Sequence, residues 1–348
     1  MNEDTVKVKD FWWTFILPLI CAFGFFTNLI NIVVFLKLKS KNPIYKLMLS
    51  NSITNFFYSL ICFFVFIMRC GQYCTIQNTY WVKVYEKYLF YYLTSALGLF
   101  NIFIEVCVAI QRYLIVANKN LPKKLPIKII ILVLFILSLV LYTPNMFYRQ
   151  IVLVQNDNLT SAYIIQTSKD QYVAKCILTV ISGMRGLLIL FLLLIINLLL
   201  LHRFKYQVEK KNHIKSIHLN SNNNNNHNKN KHDDQYLMPP EHTFTRAVST
   251  KSLRSSGKGN ENDLRAKKNM TRMVIWMSIF FFIGNLLNSL SFYILEFTQN
   301  SFVFITYYVL VSNSLLFTSH GINIFFYYFF NKNYRNIFKD NHIFKLFK

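Results

Sequence analysis

Long apolar segments recur along most of this sequence and constrain its fold more than any other feature. Seven of them reach the length of roughly 20 residues that a helix needs to cross the hydrocarbon core of a bilayer. They are Phe11–Leu36, Ile44–Met68, Tyr85–Val116, Leu125–Tyr148, Ala174–Leu201, Met270–Leu295 and Phe302–Phe330. Because a spanning segment must bond its own backbone polar groups, each is expected to be a helix. The sequence therefore predicts an all-α membrane protein, a seven-transmembrane helix bundle.

The 38 lysines and arginines are distributed unevenly between the two sides of such a bundle. Most of them fall in the loops after the first, third and fifth segments and in the C-terminal tail. Since cytoplasmic loops are enriched in Lys and Arg, we expect these loops to be cytoplasmic and the N-terminus to be extracellular, in the plasma membrane. The first segment is long enough to act as an uncleaved anchor. The net charge of +23 thus indicates topology and contact with membrane lipids, with no nucleic-acid partner.

The segments divide the chain into five regions. We predict an extracellular N-terminus at residues 1–10, transmembrane helices one to five within 11–202, a cytoplasmic loop at 203–267, helices six and seven within 268–330, and a cytoplasmic tail at 331–348. The loop contains an asparagine-rich tract without a hydrophobic period, which predicts disorder. In the tail, Tyr334, Ile337 and Phe338 recur at helical spacing among basic residues, which favours a short helix in the membrane interface.

Two ionisable residues, Glu105 and Arg112, interrupt the third segment and lie seven residues, or two helical turns, apart. An ionised group at bilayer depth costs roughly 2.5–3.5 kcal/mol, so their shared face should contact protein or water. Glu105 has two interpretations. In the functional interpretation it is a proton-linked switch or a partner for a polar group on the sixth or second helix. In the structural interpretation it is a protonated carboxyl group that is hydrogen-bonded inside the bundle.

Two motifs give the chain a resemblance to a known family. The third segment ends in Gln111-Arg112-Tyr113, and the seventh contains Asn323-Ile-Phe-Phe-Tyr327. These motifs resemble the third-helix and seventh-helix motifs of rhodopsin-like (class A) G-protein-coupled receptors, and the chain looks similar to divergent invertebrate neuropeptide receptors of the FMRFamide-receptor-like group. It departs from the family pattern at Ile324, which stands where relatives have proline.

The resemblance implies a receptor that transmits the signal of an extracellular ligand, which we expect to be a peptide, to a heterotrimeric G protein. An odorant-type chemosensory receptor is an alternative, and a seven-span channel or transporter is a more distant one. The spans contain no evident catalytic pairing and no metal-spaced set of ligands, so we expect no enzyme activity, no cofactor and no metal ion.

The resemblance also implies a G-protein switch formed by Gln111, Arg112, Tyr113, Asn197, Asn323 and Tyr327. Relatives often hold the third-helix arginine on an acidic residue of the sixth helix. That region of this chain contains Lys267 and Lys268 instead. We therefore expect raised signalling in the absence of a ligand.

Two further sets of residues are expected from their positions in the spans and from the resemblance. The polar core is expected to comprise Asn28, Asn55, Asn101, Glu105, Ser319 and His320, with Asn101 facing Asn55. The ligand cavity is expected to include Tyr91, Thr94, Arg185, Asn285, Asn288 and Asn313. Arg185 itself could face either this cavity or the lipid headgroups.

The family resemblance implies a disulfide from Cys176 to Cys74, with Cys70 as the alternative partner. All three cysteines are expected on the outer side of the membrane, where the environment is oxidising. Asn158 begins the sequence Asn-Leu-Thr in the second outer loop. This sequon predicts a glycan there.

Overall fold

We describe the protein from a computed structural model, which describes residues 3–38, 43–69, 76–117, 126–155, 161–167, 172–229, 250–297 and 303–340. The α-helices are Glu3–Phe11, Leu17–Lys37, Pro43–Met68, Tyr80–Tyr85, Thr94–Val116, Ile127–Tyr142, Pro144–Tyr148, Tyr172–Gly183, Leu190–Lys229, Thr250–Phe297, Val303–Gly321, Asn323–Phe330 and Lys332–Asp340. A 3-10 turn lies at Ile76–Asn78, and π-helical segments at Trp12–Ile16, Glu86–Leu93 and Met184–Ile189 join neighbouring α-helices into longer rods.

Seven of these rods are long and apolar enough to cross a membrane. They are Val6–Lys37, Pro43–Met68, Tyr80–Val116, Ile127–Tyr148, Val173–Glu209, Lys268–Ser291 and Val303–Phe330, numbered here first to seventh helix. They overlap all seven predicted segments. On the fourth helix Leu132, Val133 and Val140 are more than half exposed, as expected for a surface covered by lipid tails. The seven-helix bundle is confirmed, and the chain is a multi-pass membrane protein.

The third helix is the centre of the bundle, because it contacts the second, fourth, fifth and sixth helices, while the seventh helix packs on the first. Buried apolar side chains of the described residues form four clusters, and the third helix contributes to each of them, for example through Leu97, Leu99, Ile102 and Ile104. The polar residues of the third helix have partners that are described below.

The chain between the fourth and fifth helices forms an antiparallel hairpin, which the sequence analysis did not predict. Its strands are Arg149–Gln155 and Ser161–Thr167. The sequence does contain a signal for a β-strand here, since the first strand reads RQIVLVQ and is rich in β-branched residues. The ring of Tyr163 packs against that of Tyr80, with centroids 5.4 Å apart, at the start of the third helix. Arg112 lies near the other end of that helix, so the two ends of the bundle are named the hairpin end and the Arg112 end.

The fifth and sixth helices extend well beyond the predicted spans. Helical backbone continues to Lys229 and resumes at Thr250, where we had predicted one disordered loop over residues 203–267. Residues 230–249 lie outside the described part. An α-helix bonds its own backbone polar groups, so a polar segment can prolong a helix without packing against the bundle.

The short helix after the seventh span is present at Lys332–Asp340, as predicted. Asn331 caps it, because its Oδ1 accepts a hydrogen bond from the backbone N–H of Tyr334 at 3.1 Å. The Tyr334 side chain is fully buried, and its hydroxyl donates to Oδ1 of Asn31 on the first helix at 2.6 Å. Its ring also packs on Tyr327, with centroids 5.5 Å apart. Tyr334 therefore anchors the terminal helix to the Arg112 end.

We predict that Tyr334→Phe lowers the free energy of unfolding by about 1–3 kcal/mol, because it leaves the buried oxygen of Asn31 without its donor. The apparent melting temperature of the purified chain in detergent measures this effect. Tyr328→Phe is the matched control, since it removes a hydroxyl from a half-buried tyrosine of the seventh helix. Equal melting temperatures for the two variants would contradict the prediction.

Candidate functional site

At the Arg112 end, the guanidinium of Arg112 is buried without a counter-charge in the part of the chain that the structure describes. The residue is 4% exposed. Its Nη2 lies 3.0 Å from the sulfur of Met270 on the sixth helix, and its Nε has no hydrogen-bond partner. A thioether is a weak acceptor, so this contact holds the arginine loosely. Gln111 is buried beside it and Tyr113 is half-buried.

The other expected switch residues are all buried near this end, but they do not bond to Arg112 within the described ranges. Asn197 donates to the carbonyl of Leu193 on its own helix at 2.8 Å. Tyr327 is fully buried, with its ring centroid 4.9 Å from that of Phe35. Asn323 is buried one helical turn before Tyr327. Their roles in a switch remain predictions.

In the middle of the bundle, four of the predicted core residues form one hydrogen-bonded network. Asn101 donates to Oδ1 of Asn55 at 2.7 Å, so the expected contact is present. The same amide lies 3.1 Å from Nδ1 of His320. Asn28 donates to the backbone carbonyl of His320 at 2.9 Å. This network joins the first, second, third and seventh helices, whereas Ser319 bonds to Leu316 on its own helix.

Glu105 has a partner that the sequence analysis did not identify. It is 2% exposed, and its Oε1 accepts a hydrogen bond of 2.6 Å from Asn51 on the second helix. Its Oε2 has no partner. Asn51 lies one turn before Asn55, so the signal in the sequence was a second amide on the same face. Glu105 therefore bonds to the second helix, one of the two helices that we had considered.

At the hairpin end, a cavity of about 310 Å³ opens between the third, fourth, fifth and sixth helices and the hairpin. Its described lining is Tyr91, Ser95, Tyr142, Asn145, Tyr148, Arg149, Thr167, Lys175, Leu178, Thr179, Ser182, Arg185, Asn288 and Ser289. Three of the six predicted ligand residues, Tyr91, Arg185 and Asn288, are in this lining.

The other three predicted ligand residues do not line the cavity. Thr94 donates to the carbonyl of Phe90, and Asn285 donates to the carbonyl of Phe281 at 2.9 Å. Both acceptors lie four residues earlier, so these side chains bond back to their own helices rather than extending into the space. Asn313 is half-buried on the seventh helix, away from the lining.

Arg185 faces the inside of the bundle and not the lipid headgroups. A Cβ atom added to Gly98 of the third helix would lie 2.5 Å from Nη2 of Arg185, so the guanidinium occupies space that only a glycine leaves open. Its Nη1 lies 3.4 Å from the hydroxyl of Tyr142. The π-helical segment Met184–Ile189 contains Arg185, and such segments often occur at functional sites.

The sequence analysis missed Arg149 and Lys175, which also line the cavity. Both had been counted only as charges near helix ends. The guanidinium carbon of Arg149 lies 3.7 Å from the ring centroid of Tyr91, and its Nε is 3.4 Å from Oδ1 of Asn145. Burial lowers the pKa of Arg149, and neighbouring Arg69 lowers it further. The guanidinium carbon of Arg69 lies 5.6 Å from the centroid of the same Tyr91 ring, so two cations share this aromatic side chain.

Glu86 compensates part of this charge. Its Oε1 lies 2.7 Å from Nε of Arg69, and its Oε2 lies 3.3 Å from Nζ of Lys83. Burial lowers the pKa of Arg69, but the contacts with Tyr91 and Glu86 outweigh it, so the pKa is raised overall. Both oxygens of Glu86 are therefore already in use beside the cavity.

The remaining predicted modifications fall mostly outside the described residues. Cys70, Cys74 and Asn158 lie there. Cys176 is a free thiol in the structure. The disulfide and the glycan stay predictions. Within the described ranges no three histidine, cysteine or acidic side chains are grouped so that they could hold a metal ion.

We predict that Glu105 and Asn51 stabilise the bundle jointly. In a double-mutant cycle of Glu105→Leu and Asn51→Leu, the two losses of unfolding free energy should be non-additive by about 1–3 kcal/mol, because either substitution alone breaks their bond. Thermal unfolding in detergent is measured for the wild type, the two single variants and the double variant, which gives the four values of the cycle. Glu105→Leu combined with Ser138→Ala on the fourth helix serves as an additive control, and additivity in the Glu105–Asn51 pair would refute the joint effect.

Residues 246–345 match the family model described as "Serpentine type 7TM GPCR chemoreceptor Srw". The matched part contains the sixth and seventh helices and the terminal helix. A comparison with curated proteins found no match. Over less than a third of its length, the chain is therefore similar to a family of seven-helix chemoreceptors.

Proposed function

We propose that the protein is a G-protein-coupled receptor that passes the signal of an extracellular ligand to a heterotrimeric G protein. The observation that carries the proposal is the pairing of two sites on one central helix. A polar cavity borders the start of the third helix, and the buried cation Arg112 lies near its end. The family match over residues 246–345 supports the same class. We place the hairpin end outside the plasma membrane and the Arg112 end in the cytosol, following the distribution of Lys and Arg.

The mechanism is a shift between two arrangements of the bundle. A ligand in the cavity contacts the third, fifth and sixth helices together, and it favours the arrangement that it binds more tightly. Among the described residues, the hydrogen bond from Arg112 to the sixth helix goes to the weak acceptor of Met270. Movement of the sixth helix would therefore release the guanidinium to the cytosol at little cost. Asn197 and Tyr327 are buried close to the same end and could take it as new neighbours.

We infer a chemosensory ligand in preference to the peptide expected from the sequence. The matched family is described as a chemoreceptor family. The cavity volume of about 310 Å³ is at the lower limit of typical small-molecule sites. A larger peptide could place only its end in such a space. The ligand class is tested by screening small odorants and peptides in the same assay.

The main test is nucleotide exchange on purified heterotrimers, with the full-length chain in nanodiscs and pools of odorants and peptides. We expect ligand-dependent acceleration, which Arg112→Ala should reduce at least about five-fold, because the two sites are coupled through this residue. Arg272→Ala is the control, since it removes an exposed guanidinium from the sixth helix at the same end. A ligand-evoked current without any effect on nucleotide exchange would favour the channel alternative and contradict the proposal.

We also predict exchange above background without any ligand. The contact from Arg112 to the Met270 sulfur is weaker than an ion pair to a carboxylate would be. Met270→Glu should supply that carboxylate and lower the basal rate, while Met270→Leu should not. The comparison is made at equal receptor density, and an unchanged basal rate in Met270→Glu would contradict the prediction.

A further inference from the structure

The cavity at the hairpin end contains an excess of positive charge. Arg149, Lys175 and Arg185 line it, and its described lining includes no carboxylate. The nearby carboxylate of Glu86 already contacts Arg69 and Lys83 with its two oxygens. Arg149 and Arg185 are partly buried, and within the described residues neither contacts a carboxylate. A cation partly removed from water without a counter-charge is costly. Such a site is electrostatically suited to an anion.

The two arginines are held in place by contacts that leave most of their donors available. A guanidinium has five N–H donors. For Arg185 the described residues supply one hydrogen bond, at 3.4 Å to the hydroxyl of Tyr142, and the bare surface of Gly98 makes room for the group. Arg149 stacks on Tyr91 and makes one bond of 3.4 Å to Asn145. Stacking fixes the plane of a guanidinium without consuming its donors.

The rest of the lining suits an anion with a small body. Hydroxyl groups of Ser95 and Ser182 can donate hydrogen bonds, whereas that of Thr179 already donates to the backbone carbonyl of Lys175. Leu178 and the tyrosine rings supply apolar surface beside them. A planar carboxylate matches a guanidinium through two parallel hydrogen bonds, which gives direction as well as strength.

We propose that this cavity binds the carboxylate of its ligand, either a small organic acid or the free C-terminus of a peptide, between Arg149 and Arg185. The inference deepens the proposed function, since it assigns ligand chemistry to the same cavity. It excludes amines as ligands, because an ammonium group would meet the two guanidinium groups. It also excludes amides and esters of the same size as equal competitors, because they lack the charge.

The test measures binding directly on the purified full-length chain. Thermal unfolding is followed in nanodiscs of zwitterionic lipid, so that the lipid supplies no net negative charge. The probes are matched pairs: benzoate and benzamide, hexanoate and hexanamide, N-acetylphenylalanine and its amide, and the tetrapeptide Ala-Ala-Ala-Phe as free acid and as amide. At a concentration about ten times its dissociation constant, a bound acid should raise the melting temperature by about 2–4 °C, and its amide should not. The small acids and the tetrapeptide distinguish the two sources of the carboxylate.

Variants locate the effect. Arg185→Gln and Arg149→Gln should each abolish the difference between acid and amide, and Arg185→Lys should retain part of it. Lys87→Gln is the matched control, because it removes a half-exposed charge from the same end without touching the cavity. Gly98→Ala keeps every charge but displaces the Arg185 guanidinium, so it should weaken acid binding. If one arginine variant fails to fold, the other arginine variant and Gly98→Ala still decide the result.

Two outcomes would overturn the inference: no acid stabilises the chain more than its amide, or the stabilisation persists in the arginine and Gly98 variants. The binding assay contains no G protein, so it is independent of the proposed function. Acid binding without nucleotide exchange would leave the carboxylate site standing and count against the receptor. Nucleotide exchange that is stimulated only by neutral or cationic compounds would support the receptor and count against the carboxylate site.

Discussion

The cost of burying charge inside an apolar bundle governs this structure. In a membrane each ionisable side chain within a span must find a polar partner or a cavity. Glu105 bonds to Asn51, Arg112 lies against a methionine sulfur, and Arg185 fills the space beside Gly98. These three residues lie at three depths along the bundle. The third helix carries or contacts all of them, so it links the cavity, the polar core and the Arg112 end.

The three depths differ in how well their charges are satisfied. The middle network of Asn28, Asn55, Asn101 and His320 cross-links four helices, although the amide oxygens of Asn28 and Asn101 have no hydrogen-bond partner. The two ends hold guanidinium groups with donors left over. A cross-linked centre between two ends with spare guanidinium donors is suited to transmission, because a ligand at one end and a protein at the other can each accept hydrogen bonds from those donors. Coupling then requires only that the central helices move as connected rods.

The sequence predicts the fold well because the length of an apolar run is dictated by the thickness of the bilayer. The contact between Asn101 and Asn55 was also predictable, since the family resemblance aligned Asn55 with a buried polar position and Asn101 lies on the inner face of the third segment. Thr94 and Asn285 were misassigned because short polar side chains bond readily to the carbonyl four residues earlier. Arg149 and Lys175 were missed because the topology rule counts charges and says nothing of where they point. The hairpin depended on pairing between strands, which a search for helices does not detect.

The central claim is that occupation of the cavity at the hairpin end changes the Arg112 end. The most direct measurement is the distance between spin labels at Lys46 and Arg272, two exposed positions on the second and sixth helices near Arg112. Distances are compared with and without a compound that raises the melting temperature, in the presence of a nucleotide-free heterotrimer. The account predicts a shift of the distance distribution to longer values with that compound, and loss of the shift in Arg185→Gln. A distribution that stays the same whether or not the cavity is occupied would contradict it.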